Sequence, residues 1–146
     1  MPTGGNPWGK METRELTDAE RAAFIADVRI GILAFAGDKP YAVPLGSMYA
    51  KGTVLIDMAG TSGEKWDYVN KSRTVCWVMW QFGKDSNVTG LKEQMYTSVI
   101  LKGELEEVTD DKLSYYELPP KAEGSSVVWF ALKTSSVGTK TVKIVK

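Results

Sequence analysis

Two hydrophobic periods divide the chain. Thr17-Asp18-Ala19-Glu20 has the form of a capping box, in which the Thr17 hydroxyl accepts from the Glu20 amide and the Glu20 carboxylate accepts from the Thr17 amide, so a helix is predicted to start there. Ala23, Phe24 and Val28, with Ile25 beside them, recur at helical spacing and form a short apolar stripe suited to sealing one end of a sheet or barrel. From Ile30 the period becomes two. Ile30 to Ala36 is apolar and is closed by Gly37-Asp38-Lys39-Pro40, after which Tyr41, Val43 and Leu45 alternate with smaller residues up to Tyr49. Lys51-Gly52 makes a second turn before Thr53 to Met58, so three strands are predicted in an antiparallel meander.

Ala59-Gly60-Thr61-Ser62-Gly63-Glu64-Lys65 then leads into a short helix carrying Trp66, Tyr68 and Val69. Glycines let backbone amides converge, hydroxyls add donors and a lysine adds a point charge, a combination that suits a phosphate. It is equally an ordinary strand-to-helix loop, because the spacing is not that of a Walker motif. Thr74 to Phe82 is a strongly apolar strand with Trp77 and Trp80 on opposite faces, so at least one indole must meet a second packed surface or a ligand. Gly83 to Lys92, a polar loop and candidate site rim, joins it to a long strand, Gln94 to Val108, on which Tyr96, Ser98 and Ile100 share one side. Thr109-Asp110-Asp111 is read as the cap of a second helix bearing Leu113, Tyr116 and Leu118, stopped by Pro119-Pro120, and two strands, Val127 to Lys133 and Thr139 to Val145, close the chain.

Six or seven mainly antiparallel strands in 146 residues favour a small closed barrel, since closure removes exposed edges. The fold class is therefore mainly β with short α additions. Residues 1–12 are expected to be a flexible tail and 13–146 a single domain. Eighteen basic residues balance eighteen acidic ones without a like-charged run, which argues against a nucleic-acid partner. No segment approaches the roughly 20 apolar residues that span a membrane, and none has signal-peptide form, so a cytoplasmic protein is expected.

The sequence contains no histidine, which excludes Ser-His-Asp triads, His-ligated metals and axial histidine ligation of haem. The one cysteine, Cys76, has no partner for a disulfide or zinc site and sits in an apolar run, where it reads as a small packing residue. No metal is expected, and no side chain is singled out as catalytic.

Four stretches carry a resemblance that covers roughly residues 14–145. They are Arg14-Glu15-Leu16 with Val28-Arg29-Ile30-Gly31-Ile32-Leu33-Ala34; Pro40-Tyr41-Ala42-Val43-Pro44; Gly63-Glu64-Lys65 followed by Asn70-Lys71-Ser72-Arg73-Thr74-Val75; and Tyr96-Thr97-Ser98-Val99-Ile100 with Gly103. In their order and spacing the chain resembles the pyridoxamine 5'-phosphate oxidase-related flavin-binding split barrels, particularly the branch that includes nitroimidazole-resistance proteins. The resemblance implies an antiparallel split β-barrel and FMN as cofactor. It places Pro44, Leu45, Gly46 and Ser47 at the isoalloxazine ring, and Thr61, Ser62, Gly63 and Lys65 at the phosphate. Met58 stands in the same site, where many relatives carry a histidine, so any reaction using that imidazole is lost. Glu64 replaces a commonly basic residue and opposes a dianionic phosphate.

The same resemblance implies a homodimer with the site between subunits, which the five tryptophans and six tyrosines permit. The function it implies is an FMN-dependent oxidoreductase acting on a small-molecule substrate, with NAD(P)H a candidate donor. The alternative is a non-catalytic protein on the same fold that binds or stores flavin, deazaflavin or haem; a ligand-free interaction scaffold is the third reading.

Overall fold

The computed structural model describes residues 9–60 and 62–145. The elements are β1 (Lys10–Arg14), α1 (Asp18–Asp27), β2 (Ile30–Phe35), β3 (Tyr41–Ala50), β4 (Thr53–Met58), α2 (Glu64–Lys71), β5 (Thr74–Phe82), β6 (Tyr96–Glu107) and β7 (Val128–Val145). Among the described residues the strands pair antiparallel in the order β1-β7-β4-β3-β2-β5-β6, and a further pairing of β6 with β7 closes six of them into a barrel, leaving β1 as an extra strand on β7. This is the split-barrel class expected from the sequence.

Local chemistry sets most boundaries. Both halves of the Thr17–Glu20 capping box form and start α1, whose Phe24 and Ile25, followed by Val28, are buried at the barrel. Ala23, expected on that stripe, is exposed. Lys51 (φ 55°) and Gly52 (φ 71°) both adopt left-handed backbone, which matches the twist of a tight β3–β4 hairpin. Strand alternation then sends Leu33, Leu45, Ile56, Met58, Trp77, Met79 and Val99 inward as one core.

Three expectations are revised. The tail expected over residues 1–12 overlaps β1, because Lys10, Met11 and Glu12 pair with Val145, Ile144 and Lys143; the rest of it up to Trp8 lies outside the described residues. The second helix is only a 3₁₀ turn at Asp110–Lys112, since Thr109 makes no side-chain cap and left-handed Glu117 (φ 61°) ends the coil as Leu118 N–H donates to Leu113 C=O at 2.9 Å. Leu113, Tyr116 and Leu118 are nonetheless buried, against Leu55 and Ala131 on the outside of β4 and β7 and Val108 just past β6.

The two closing strands are one continuous strand of 18 residues. The break expected between Lys133 and Thr139 does not occur; the ladder absorbs Ser135 as a bulge between the Lys102–Ser136 and Gly103–Thr134 pairs. Gly103 is needed there, because a Cβ on it would collide with the Lys133 carbonyl oxygen. The bent strand pairs with β6 along its length, with β4 through Val128–Ala131 and with β1 through Thr141–Val145.

Candidate functional site

Alternation along β3 divides the residues expected at the ring. Pro44 and Gly46 lie on the outer surface, whereas Leu45 and Ser47 are buried and face the barrel interior. The Ser47 hydroxyl finds no hydrogen-bond partner among the described residues. Met58, at the end of β4, is fully buried in the main core, so its thioether lies on the inward side and away from the surface that Pro44 and Gly46 share. The outer surface at Gly46 is open: a Cβ placed there would approach nothing nearer than the Arg29 carbonyl oxygen, at 3.8 Å.

The small-residue loop leads into the start of α2 as expected. Ser62 and Gly63 are exposed, Lys65 is half-buried, and Thr61 lies outside the described residues. Gly63 takes φ 113°, a left-handed conformation that favours glycine, and it is the N-cap. It offers no side-chain cap, its carbonyl accepts from the amides of Trp66 and Asp67, and among the described residues no side chain caps the first amides of the helix. An uncapped helix start beside a lysine can hold an anion. Glu64 and Asp67 in the same turn work against that charge.

A residue not anticipated from the sequence joins these two groups. Asp57 lies on the outer side of β4, opposite Trp129 of β7 and one position beyond the Ser47–Ile56 pair that joins β4 to β3. Burial pushes its carboxyl up from the usual range, while the nearby Lys65 ammonium pulls the other way. Its Oδ1 is buried without a hydrogen-bond partner among the described residues. Asp57 thus connects the β3 surface to the α2 loop. The signal in the sequence is one carboxylate in the otherwise apolar run Val54-Leu55-Ile56-Asp57-Met58.

The second feature that periodicity alone did not single out is an apolar outer face. Pro44 pairs with Ile32, Ile32 with Val78, Val78 with Ile100 and Ile100 with Gly138, so one cross-strand row of outward positions runs over five strands and carries apolar side chains on four of them. Ile30 is 60% exposed, Trp80 51% and Phe82 43%, and the Trp80 and Phe82 rings meet edge to face at 4.6 Å between centroids. Trp77, by contrast, is fully buried in the core, so the two indoles lie on opposite faces as the strand pattern requires. Cys76 is half-buried on the outer side. Among the described residues no group of three or more His, Cys, Asp or Glu could hold a metal ion, and no helix is long and apolar enough to cross a membrane.

The closed antiparallel strands define a split barrel in architecture, and comparison with known proteins gives the family. The sequence model of the pyridoxamine 5'-phosphate oxidase family matches residues 17–118, and the chain belongs to that family. No curated protein matches it. Among solved structures it is similar to a FAD-binding protein from Mesorhizobium loti (TM-score 0.62, 21% identity, 88% of this chain and 97% of that one). It is similar also to a candidate 5-nitroimidazole antibiotic resistance protein from Bacteroides thetaiotaomicron (TM-score 0.65, 14% identity, 91% and 89% of the two chains). A third is the FAD and heme binding protein from Mycobacterium smegmatis (TM-score 0.62, 14% identity, 92% and 73%). At these identities the structures share the fold.

Proposed function

We propose that the protein is a homodimeric, FMN-binding oxidoreductase that acts on a small molecule. The observation that carries this reading is the uncapped start of α2 with Lys65 beside it, set next to the open outer surface at Pro44 and Gly46. The residues fit such a group from end to end. Lys65, Ser62 and the first amides of α2 hold the phosphate, and Pro44 and Gly46 offer a flat surface, free of side-chain bulk at Gly46, against which a planar ring packs. Leu45 and Ser47 support that surface from inside the barrel. Bound flavin supplies the electron chemistry, which the chain's own side chains do not provide.

The dimer follows from the apolar row. Monomeric proteins rarely leave a contiguous patch of this kind in water, and the exposed Ile30, Ile32, Trp80, Phe82 and Ile100 are the residue types that fill interface centres. A second copy covers this face and closes the open side of the site. Glu64 and the inward Met58 favour a second reading, a protein that holds flavin, deazaflavin or haem without turning over a substrate, because one weakens the anion site and the other places no polar group at the ring.

The visible spectrum of the purified protein, followed by FMN titration and anaerobic addition of NADH or NADPH, separates the readings. Flavin bands that bleach with the nicotinamide support the oxidoreductase. Flavin bound but never reduced by either donor supports the holding protein, and a colourless protein that leaves FMN fluorescence unchanged overturns both.

A further inference from the structure

We infer that Asp57 is the positioning residue for the sugar-alcohol chain of the bound flavin, its Oδ1 accepting a hydrogen bond from a ribityl hydroxyl; this rests on the reading of the site proposed above. Oδ1 is buried and has no donor among the described residues, an arrangement that costs stability unless a donor beyond those residues satisfies it. Asp57 stands between the β3 outer surface assigned to the ring and the α2 loop assigned to the phosphate. In FMN the group between ring and phosphate is a chain of three hydroxyls, each able to donate. A carboxylate accepts only, so it is badly matched to the phosphate oxygens and well matched to these hydroxyls. Burial pushes the Asp57 carboxyl up and the nearby Lys65 ammonium pulls it back down.

The test titrates wild type, Asp57→Asn and Asp57→Ala with riboflavin and with lumiflavin, which has the same ring and a methyl in place of the ribityl chain. Neither ligand carries a phosphate, so Lys65 and Glu64 do not enter. Asp57→Ala should weaken riboflavin by about ten- to a hundredfold, the value of a buried hydrogen bond whose loss leaves its partner unpaired, and leave lumiflavin unchanged. Asp57→Asn, which keeps an acceptor oxygen, should recover most of the loss. Equal losses for both ligands, or no loss for riboflavin, overturn the inference while leaving flavin binding intact. Failure of the wild-type protein to bind either ligand overturns the underlying reading as well. If Asp57→Ala does not fold, wild type titrated with 2'-, 3'- and 4'-deoxyriboflavin reads the same contact from the ligand's side: one of the three should bind at least tenfold more weakly than riboflavin, and three equal affinities overturn it.

Discussion

Trp77 lies over Gly31 inside the barrel, so closely that a Cβ on residue 31 would strike Cζ2 and Cε2 of the indole. Gly31 faces inward on β2, opposite Leu45 of β3, and Trp77 fills the space its missing side chain leaves. The largest core residue and the smallest one are therefore a matched pair across adjacent strands. The indole nitrogen has no hydrogen-bond partner among the described residues, so the fit to Gly31 is one of shape.

Gly31→Ala should destabilise the barrel by ~1 to 3 kcal/mol, the usual range for overpacking against atoms that cannot withdraw. Chemical denaturation of the two proteins measures it. A variant as stable as wild type would mean that the indole relocates freely.

The two tryptophans of β5 should part company on substitution. Trp77→Ala removes a fully buried indole and should cost about 3 to 5 kcal/mol of folding stability. Trp80→Ala removes a 51% exposed one, so it should leave the melting temperature within a few degrees and weaken self-association at least about tenfold. Light scattering across a dilution series reads the second effect; wild type that is monomeric at every concentration removes the dimer from the proposal.

Arg14 and Glu20 predict a pH dependence. The Arg14 guanidinium donates to both carboxylate oxygens, at 2.8 and 2.9 Å, and holds Glu20 down at about 2, helped by the Thr17 amide and opposed by burial. A carboxyl depressed on folding contributes stability that is complete above its unfolded value of about 4.3 and fades as the pH falls toward the folded one. Glu20→Gln should therefore melt below wild type at pH 7, and the gap should close between about pH 4.5 and pH 2. A gap independent of pH would assign the effect to the capping box alone.

Lys65→Ala should weaken FMN by roughly ten- to a hundredfold, the value of ~1.5 to 3 kcal/mol for an ammonium on a phosphate, and hardly change riboflavin. Glu64→Arg should tighten FMN, more at low salt than at high, since it exchanges repulsion for attraction at an exposed site. Fluorescence titration of both variants with both ligands checks the pair. Equal losses for FMN and riboflavin on Lys65→Ala would leave the loop a purely structural role.

Short-range information in the sequence determined much of this protein. The Thr17–Glu20 box, the Lys51-Gly52 turn and the three period-two strands between Ile30 and Met58 depend on neighbours a few residues away, and all form where the pattern puts them. Where a choice depended on distant partners, tertiary structure decided. Ser135, which falls between the two expected closing strands, becomes a bulge within one strand because β6 supplies a continuous ladder beside it; the 109–118 segment has helical spacing but is held as turns against β4 and β7. The candidate site follows the same division. Its loop is legible from Gly63 and Lys65, which are neighbours in sequence, whereas the facing of Met58 and Leu45 into the core, and the meeting of Asp57 with Lys65, arise only when closure of the barrel fixes which side of each strand is inside.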